Sequence, residues 1–167
     1  MKIYHSFSSE ETKKFGAEIA KQFSSCNFQF SKKGRKTALV PRRRLARDKC
    51  ALILALRGDL GAGKTTFTQG FLKGLGVRRR VSSPTFVLMK RFTLRNLPFA
   101  NVYHIDCYRV KKSAELSSLG LKEIFENPEN LVLVEWPERL GRILPKRRLN
   151  LVFRHGKDEE VRAIKVI

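Results

Sequence analysis

At 167 residues, 42% of them hydrophobic, the chain has the length of one domain and enough apolar surface to fold without a disulfide or metal staple. Its longest uncharged apolar run, Ala51–Leu56, is too short to cross a bilayer, and the opening MKIYHSFSSEE lacks the apolar stretch of a secretory signal. With 35 Lys and Arg against 15 Asp and Glu, the formal net charge is +20; composition excludes a membrane protein, a disulfide-rich miniprotein and a secreted precursor, and predicts attraction to a polyanion.

Ser8–Ser24 reads as a helix: Ser8 or Ser9 can cap it, Glu10 and Glu11 suit its N-terminal dipole, and Phe15, Ile19 and Phe23 recur at a spacing of four. Ser31–Lys49 holds nine basic residues against one acidic, with Gly34 and Pro41. It reads as an inserted basic loop, mobile unless a partner orders it, and is either a solvated segment or a contact surface for RNA or an acidic partner. Cys50–Leu56 is a continuous apolar run of the kind buried on both faces of a parallel sheet. Thr65–Leu75 follows as a helix stopped by Gly76, and then comes the basic cluster Arg78–Arg80. Phe86–Phe92, Phe99–Ile105 and Leu131–Val134 are strand candidates. Between the last two, Ser113–Phe125 holds one or two short helices broken at Gly120, closed by a turn at Asn127-Pro128. Leu149–Phe153 and Val161–Ile167 read as strands joined by a turn around Gly156, with a further basic cluster, Lys146–Arg148, before them. There is no internal repeat and no sign of a second domain across residues 1–167. Strands alternating with helices predict an α/β three-layer fold.

Cys26, Cys50 and Cys107 form no C-x-x-C, and His5, His104 and His155 form no H-E-x-x-H, so a structural zinc site is not expected. Unpaired thiols fit a reducing cytoplasm. No zinc finger or RNP1-like aromatic signature accompanies the positive charge, so no sequence-reading RNA module is visible.

The strongest signal is Gly58-Asp59-Leu60-Gly61-Ala62-Gly63-Lys64-Thr65, which fits G-x-x-x-x-G-K-[ST] between an apolar strand and a helix. Glycines let backbone N–H groups turn inward around a phosphate, and the helix N-terminus adds partial positive charge. Lys64 is placed to reach β- and γ-phosphates, and the Thr65 hydroxyl to ligate Mg²⁺. Such a site needs a further carboxylate. Glu135 follows the run LVLV and Asp106 follows VYHI, both at strand ends where ligands sit in open α/β sheets. Glu135 is the better metal candidate, and Asp106 suits the metal's water shell or the attacking water. Trp136 is either near the nucleotide or simply core. Ser82-Ser83-Pro84-Thr85 offers hydroxyls for a nucleotide-sensing loop, although alone it reads as a capped turn.

GDLGAGKTTFTQG (Gly58–Gly70), SSPTFVL (Ser82–Leu88), YHIDCYRV (Tyr103–Val110), ELSSLGLKEIF (Glu115–Phe125) and VEWPERL (Val134–Leu140) occur in this order. Together they resemble the bacterial TsaE (YjeE) family, small P-loop ATPases needed for the threonylcarbamoyl modification of adenosine in tRNA. The resemblance covers Ser8–Ile167 apart from the basic stretch, which is longer and more basic than the family's usual connection. It implies a P-loop NTPase-like α/β sandwich whose sheet is largely parallel, with an antiparallel extension at the C-terminus. It implies ATP-phosphate contacts at Gly61–Thr66 and Mg²⁺ ligands at Thr65 and Glu135. Asp106 would be an acidic residue near the catalytic centre, and Ser82–Thr85 a nucleotide-responsive loop. The implied partners are TsaD and TsaB, whose synthase the ATPase resets between cycles without transferring the threonylcarbamoyl group itself. No diagnostic motif marks the adenine contacts; segments near Thr12 and Arg162 suit them by position alone. Two other readings stand beside this one. A small-molecule P-loop kinase would need a lid with several arginines, and an RNA-binding module with a vestigial P-loop would bind RNA indifferently to ATP.

Overall fold

A computed structural model of the chain describes residues 3–24, 29–31, 38–40, 50–84, 87–111, 115–116, 119–156 and 161–167. A seven-stranded sheet is built from β1 (Ile3–Ser6), β4 (Leu52–Arg57), β5 (Met89–Thr93), β6 (Asn101–Asp106), β7 (Asn130–Glu135), β8 (Leu149–His155) and β9 (Arg162–Val166), in the order β1-β9-β8-β4-β7-β6-β5. A separate two-stranded antiparallel ladder joins β2 (Gln29–Ser31) to β3 (Ala38–Val40). Helices among the described residues include α1 (Ser9–Ser24), α2 (Lys64–Gly74), α3 (Leu121–Glu126) and a 3₁₀ helix at Pro137–Ile143.

The strands with continuous apolar runs take the centre. β4 and β7 are flanked by parallel neighbours on both sides, because a strand without a polar face must be covered above and below. Leu54, Leu56, Leu131 and Leu133 face one core with Phe15 and Phe23 of α1 and Phe67 and Phe71 of α2. Ile53, Val132 and Val134 face a second core with Leu121, Ile124 and Phe125 of α3 and Leu140 of the 3₁₀ helix. Helices therefore cover both faces. The expectation of a largely parallel sheet needs correction. β8 pairs β9, β9 pairs β1 and β5 pairs β6 antiparallel, so these three pairings equal the three parallel ones. Antiparallel strands lie at both edges, not only near the C-terminus. The edge strands are only partly buried, so the all-apolar pattern that signals a parallel neighbour is missing there.

Ser8 is the residue that caps α1. Its Oγ accepts the Glu11 N–H at 3.1 Å, while the Glu11 carboxylate accepts the Phe7 N–H at 2.8 Å. Gly120, with φ 59°, is the expected break: Glu115, Leu116 and Leu119 before it are 3₁₀-helical, and α3 starts after it. Within Ser31–Lys49, Ala38–Val40 forms a strand where a loop was expected. Residues 32–37 and 41–49 lie outside the described residues, as do Cys26 and residues 157–160, on which part of the expected turn around Gly156 falls. No described helix is long and apolar enough to cross a membrane.

Candidate active site

β4 runs straight into the Gly58–Thr65 loop, and α2 leaves it. Gly58 has φ 136°, and a Cβ there would run into the carbonyl oxygen of Phe153 on β8, so only glycine fits this turn beside the neighbouring strand. Gly61 (φ 76°) and Gly63 (φ 94°) continue the left-handed path that turns the loop around. The Phe67 N–H donates to Gly63 O at 2.9 Å and begins the helical ladder.

Lys64 opens α2 and is only 5% exposed. Its Nζ donates to the carbonyls of Gly58 and Asp59, each at 2.6 Å, and lies 4.1 Å from the centre of the Trp136 ring. Burial pushes its ammonium below the ordinary lysine value, against the opposing pull of Glu135, Glu138, Asp106 and Asp59. Trp136 reaches this position through a left-handed backbone (φ 57°), which branched or bulky residues rarely adopt. Its ring also packs against Tyr108, with centroids 5.2 Å apart.

Asp106 and Glu135 are cross-strand partners at the carboxyl ends of β6 and β7. Their side chains share the face covered by α2, and both are buried. Glu135 is gripped from two sides: Thr65 Oγ1 donates to Oε2 at 2.9 Å, and His104 Nε2 lies 2.8 Å from Oε1. His104 is fully buried two residues before Asp106 on β6, and its Nδ1 has no hydrogen-bond partner among the described residues. Asp106 is fixed by Ser83 Oγ (2.6 Å) and the Tyr108 N–H (3.0 Å). Burial, helped by the charges of Asp106 and Glu138, pushes the neighbouring Cys107 thiol up to about 12, so it is an inert core residue.

Two cavities flank the loop and share Gly61, Gly63 and Thr66. One, of about 220 Å³, gathers Lys64, Thr65, Ser83, Asp106, Glu135 and Trp136. The other, of about 300 Å³, is lined by Ser8, Ser9, Thr12 and Arg162. The residues expected to act together thus converge, with Thr12 and Arg162 on the far side of the loop. Ser82 behaves differently, since its carbonyl and hydroxyl bond Lys90 on β5 at 3.0 and 2.7 Å. Pro84 accepts the Val87 N–H at 2.8 Å, and Thr85 lies outside the described residues. Asp59 contributes its carbonyl to Lys64, and Leu60 accepts a bond from His155 at 3.1 Å.

The donor set suits a hard divalent cation, because Thr65 and Glu135 present oxygens 2.9 Å apart beside a phosphate-type loop. No group of three or more His, Cys, Asp or Glu side chains that could cage a metal occurs among the described residues. His104, Tyr108, Ser8 and Ser9 are the site residues that motif reading overlooks. The one available signal for His104 is a polar side chain in phase with Asp106 inside an otherwise apolar strand.

A family model described as threonylcarbamoyl adenosine biosynthesis protein TsaE matches residues 6–164. The tRNA threonylcarbamoyladenosine biosynthesis protein TsaE of Bacillus subtilis is 45% identical over 108 residues, 65% of this chain and 65% of that protein. The protein of the same name from Haemophilus influenzae is 41% identical over 96 residues, 58% of each. The chain thus spans less than two thirds of the length of these curated relatives. The solved structure of Bacillus subtilis YdiB superposes with a TM-score of 0.65 at 31% identity, over 98% of this chain and 82% of that one.

Proposed function

Because the chain belongs to the TsaE family, we propose that it is a Mg²⁺-dependent ATPase serving the threonylcarbamoyl modification of adenosine in tRNA. It works in the cytoplasm with TsaD and TsaB, resetting their synthase rather than transferring the group itself. The P-loop NTPase class of the sheet belongs to the same reading. The observation that carries it is the convergence of Lys64, Thr65, Asp106 and Glu135 on one cavity beside the Gly58–Thr65 loop.

In this reading Lys64 exchanges the Gly58 and Asp59 carbonyls for β- and γ-phosphate oxygens. The loop amides and the start of α2 cradle the rest of the triphosphate from Gly58 to Thr66. Thr65 and Glu135 hold the ion, which when bound neutralises charge on the phosphates. His104 fixes the orientation of the Glu135 carboxylate. Asp106, held by Ser83 and Tyr108, orients the attacking water. Trp136 closes the wall over Lys64, and the hydroxyl-lined cavity with Arg162 takes the nucleoside end.

The test pairs thermal shift with phosphate release. At a hundredfold excess of ATP–Mg over Kd, the wild type gains about 2.7 kcal/mol, a rise in Tm of roughly 5–10 °C. Lys64→Ala loses both the shift and the hydrolysis, and normal turnover by this variant would overturn the assignment. Transfer of phosphate to a nucleoside or sugar, in place of release, would favour a kinase.

A further inference from the structure

A third cavity, of about 660 Å³, lies at the opposite end of α2 and shares no lining residue with the two at the phosphate loop. Its wall carries Lys13 of α1, Lys73 of α2 and the consecutive Arg78, Arg79 and Arg80, with no carboxylate among the described lining residues. The three arginines and Lys73 are exposed; Lys13 is half-buried and also bonds Glu10 at 2.6 Å.

Helix capping does not account for this concentration of cations. The carboxyl end of α2 is already closed by the N–H groups of Leu75, Gly76 and Val77, which donate to Phe71, Lys73 and Leu72 carbonyls at 3.1, 2.9 and 3.0 Å. A lysine in the last turn answers the helix dipole, but three further arginines beyond it do not. The segment that carries the arginines is tied back to the helix at its end, where Gln69 Nε2 donates to the Val81 carbonyl at 3.1 Å. Guanidinium forks grouped around a concavity suit phosphates, each able to take two parallel hydrogen bonds. Among the described lining residues there is no aromatic anchor, and the half-buried Val77 and Val81 are the apolar contacts. That argues against a protein partner, whose binding energy concentrates in such anchors.

We infer that this cavity docks the sugar–phosphate backbone of RNA. Recognition of phosphate rests on the lining residues; the choice of RNA as its source rests on the proposed role in tRNA modification. α2, 11 residues and about 16 Å long, then links an RNA contact at its carboxyl end to the nucleotide loop at its amino end.

The experiment titrates a fluorescent, unmodified tRNA transcript with the full chain over about 50–200 mM salt. Arg78→Ala/Arg79→Ala/Arg80→Ala should weaken binding at least tenfold and lower the salt slope by about 2–3, since each phosphate contact contributes roughly one. Lys122→Ala/Arg139→Ala/Arg142→Ala removes equal charge from exposed residues of α3 and the 3₁₀ helix, and should cost far less. Equal losses in the two variants would reduce the site to net charge and overturn it. Tighter binding of polyglutamate than of tRNA would make the occupant an acidic protein. Loss of binding to phosphatidylserine vesicles, with tRNA binding unchanged, would make it a membrane; either result also overturns the inference. The ATP–Mg thermal shift should survive in the arginine variant. Its absence from the wild type would sink the ATPase reading without touching the RNA result.

Discussion

Glu135 cannot swing freely, because Thr65 and His104 each hold one of its oxygens. Partners that orient a metal-ligating group this way typically matter 10- to 100-fold. His104→Ala should therefore raise the Mg²⁺ concentration needed for half-maximal ATP hydrolysis by about 10- to 100-fold. His104→Gln should recover part of the loss if the hydrogen bond, rather than ring volume, is what matters. A second expectation concerns Cys107, whose thiol is pushed up to about 12 by burial. The folded state keeps this proton to higher pH than the unfolded state, so its stabilisation is complete below the ordinary thiol value and drains away as pH climbs towards 12. Cys107→Ala should lose less stability than the wild type between neutral and strongly alkaline pH in urea titrations. In the native chain at pH 8, mass spectrometry should find Cys107 unalkylated by iodoacetamide. Lys64, Thr65, Asp106 and Glu135 were legible as residues because motif spacing and strand ends mark them. His104 was not, since one histidine in VYHID is equally consistent with a satisfied core position.

Among the elements, the pair α1 and α2 positions the loop, and it does so through backbone contact. A Cβ on Gly70 would meet the backbone of Lys13, and one on Gly16 would collide with the Phe67 carbonyl. At these two glycines the phosphate-loop helix meets α1 backbone to backbone, beside the Phe15–Phe67 and Phe23–Phe71 ring contacts. Gly70→Ala should cost about 1–3 kcal/mol by overpacking, a fall in Tm of roughly 3–10 °C by calorimetry, and weaken ATP binding by shifting Lys64. Helical spacing identified both helices to within a residue, yet it could not show which glycines touch. Most strands began near their apolar runs. β5, expected from Phe86, starts at Met89. β1 was missed because IYHS is short and half polar, and the 3₁₀ helix because Pro137 and Gly141 look like breakers.

At the scale of the molecule, the two-stranded ladder of β2 and β3 is separate from the seven-stranded sheet. Replacing residues 29–49 with a Gly/Ser linker should therefore leave the ATP–Mg thermal shift intact; loss of cooperative unfolding would show that the stretch supports the core. Strand direction was the least readable property. An apolar run such as LVLV announces a buried strand with neighbours on both sides, but edge pairing is decided by turns and partners distant in sequence.

The main sheet finishes on one side in the four-residue β1 and on the other in the five-residue β5, MKRFT, which sets Lys90 and Arg91 along that margin. Both margins are brief and the β5 one is cationic, which gives a second copy little ladder to extend, and mutual repulsion between molecules of charge +20 adds to that. Concentrated solutions should consequently stay clear of fibrils, with self-association ending in closed, countable complexes instead of open-ended stacking.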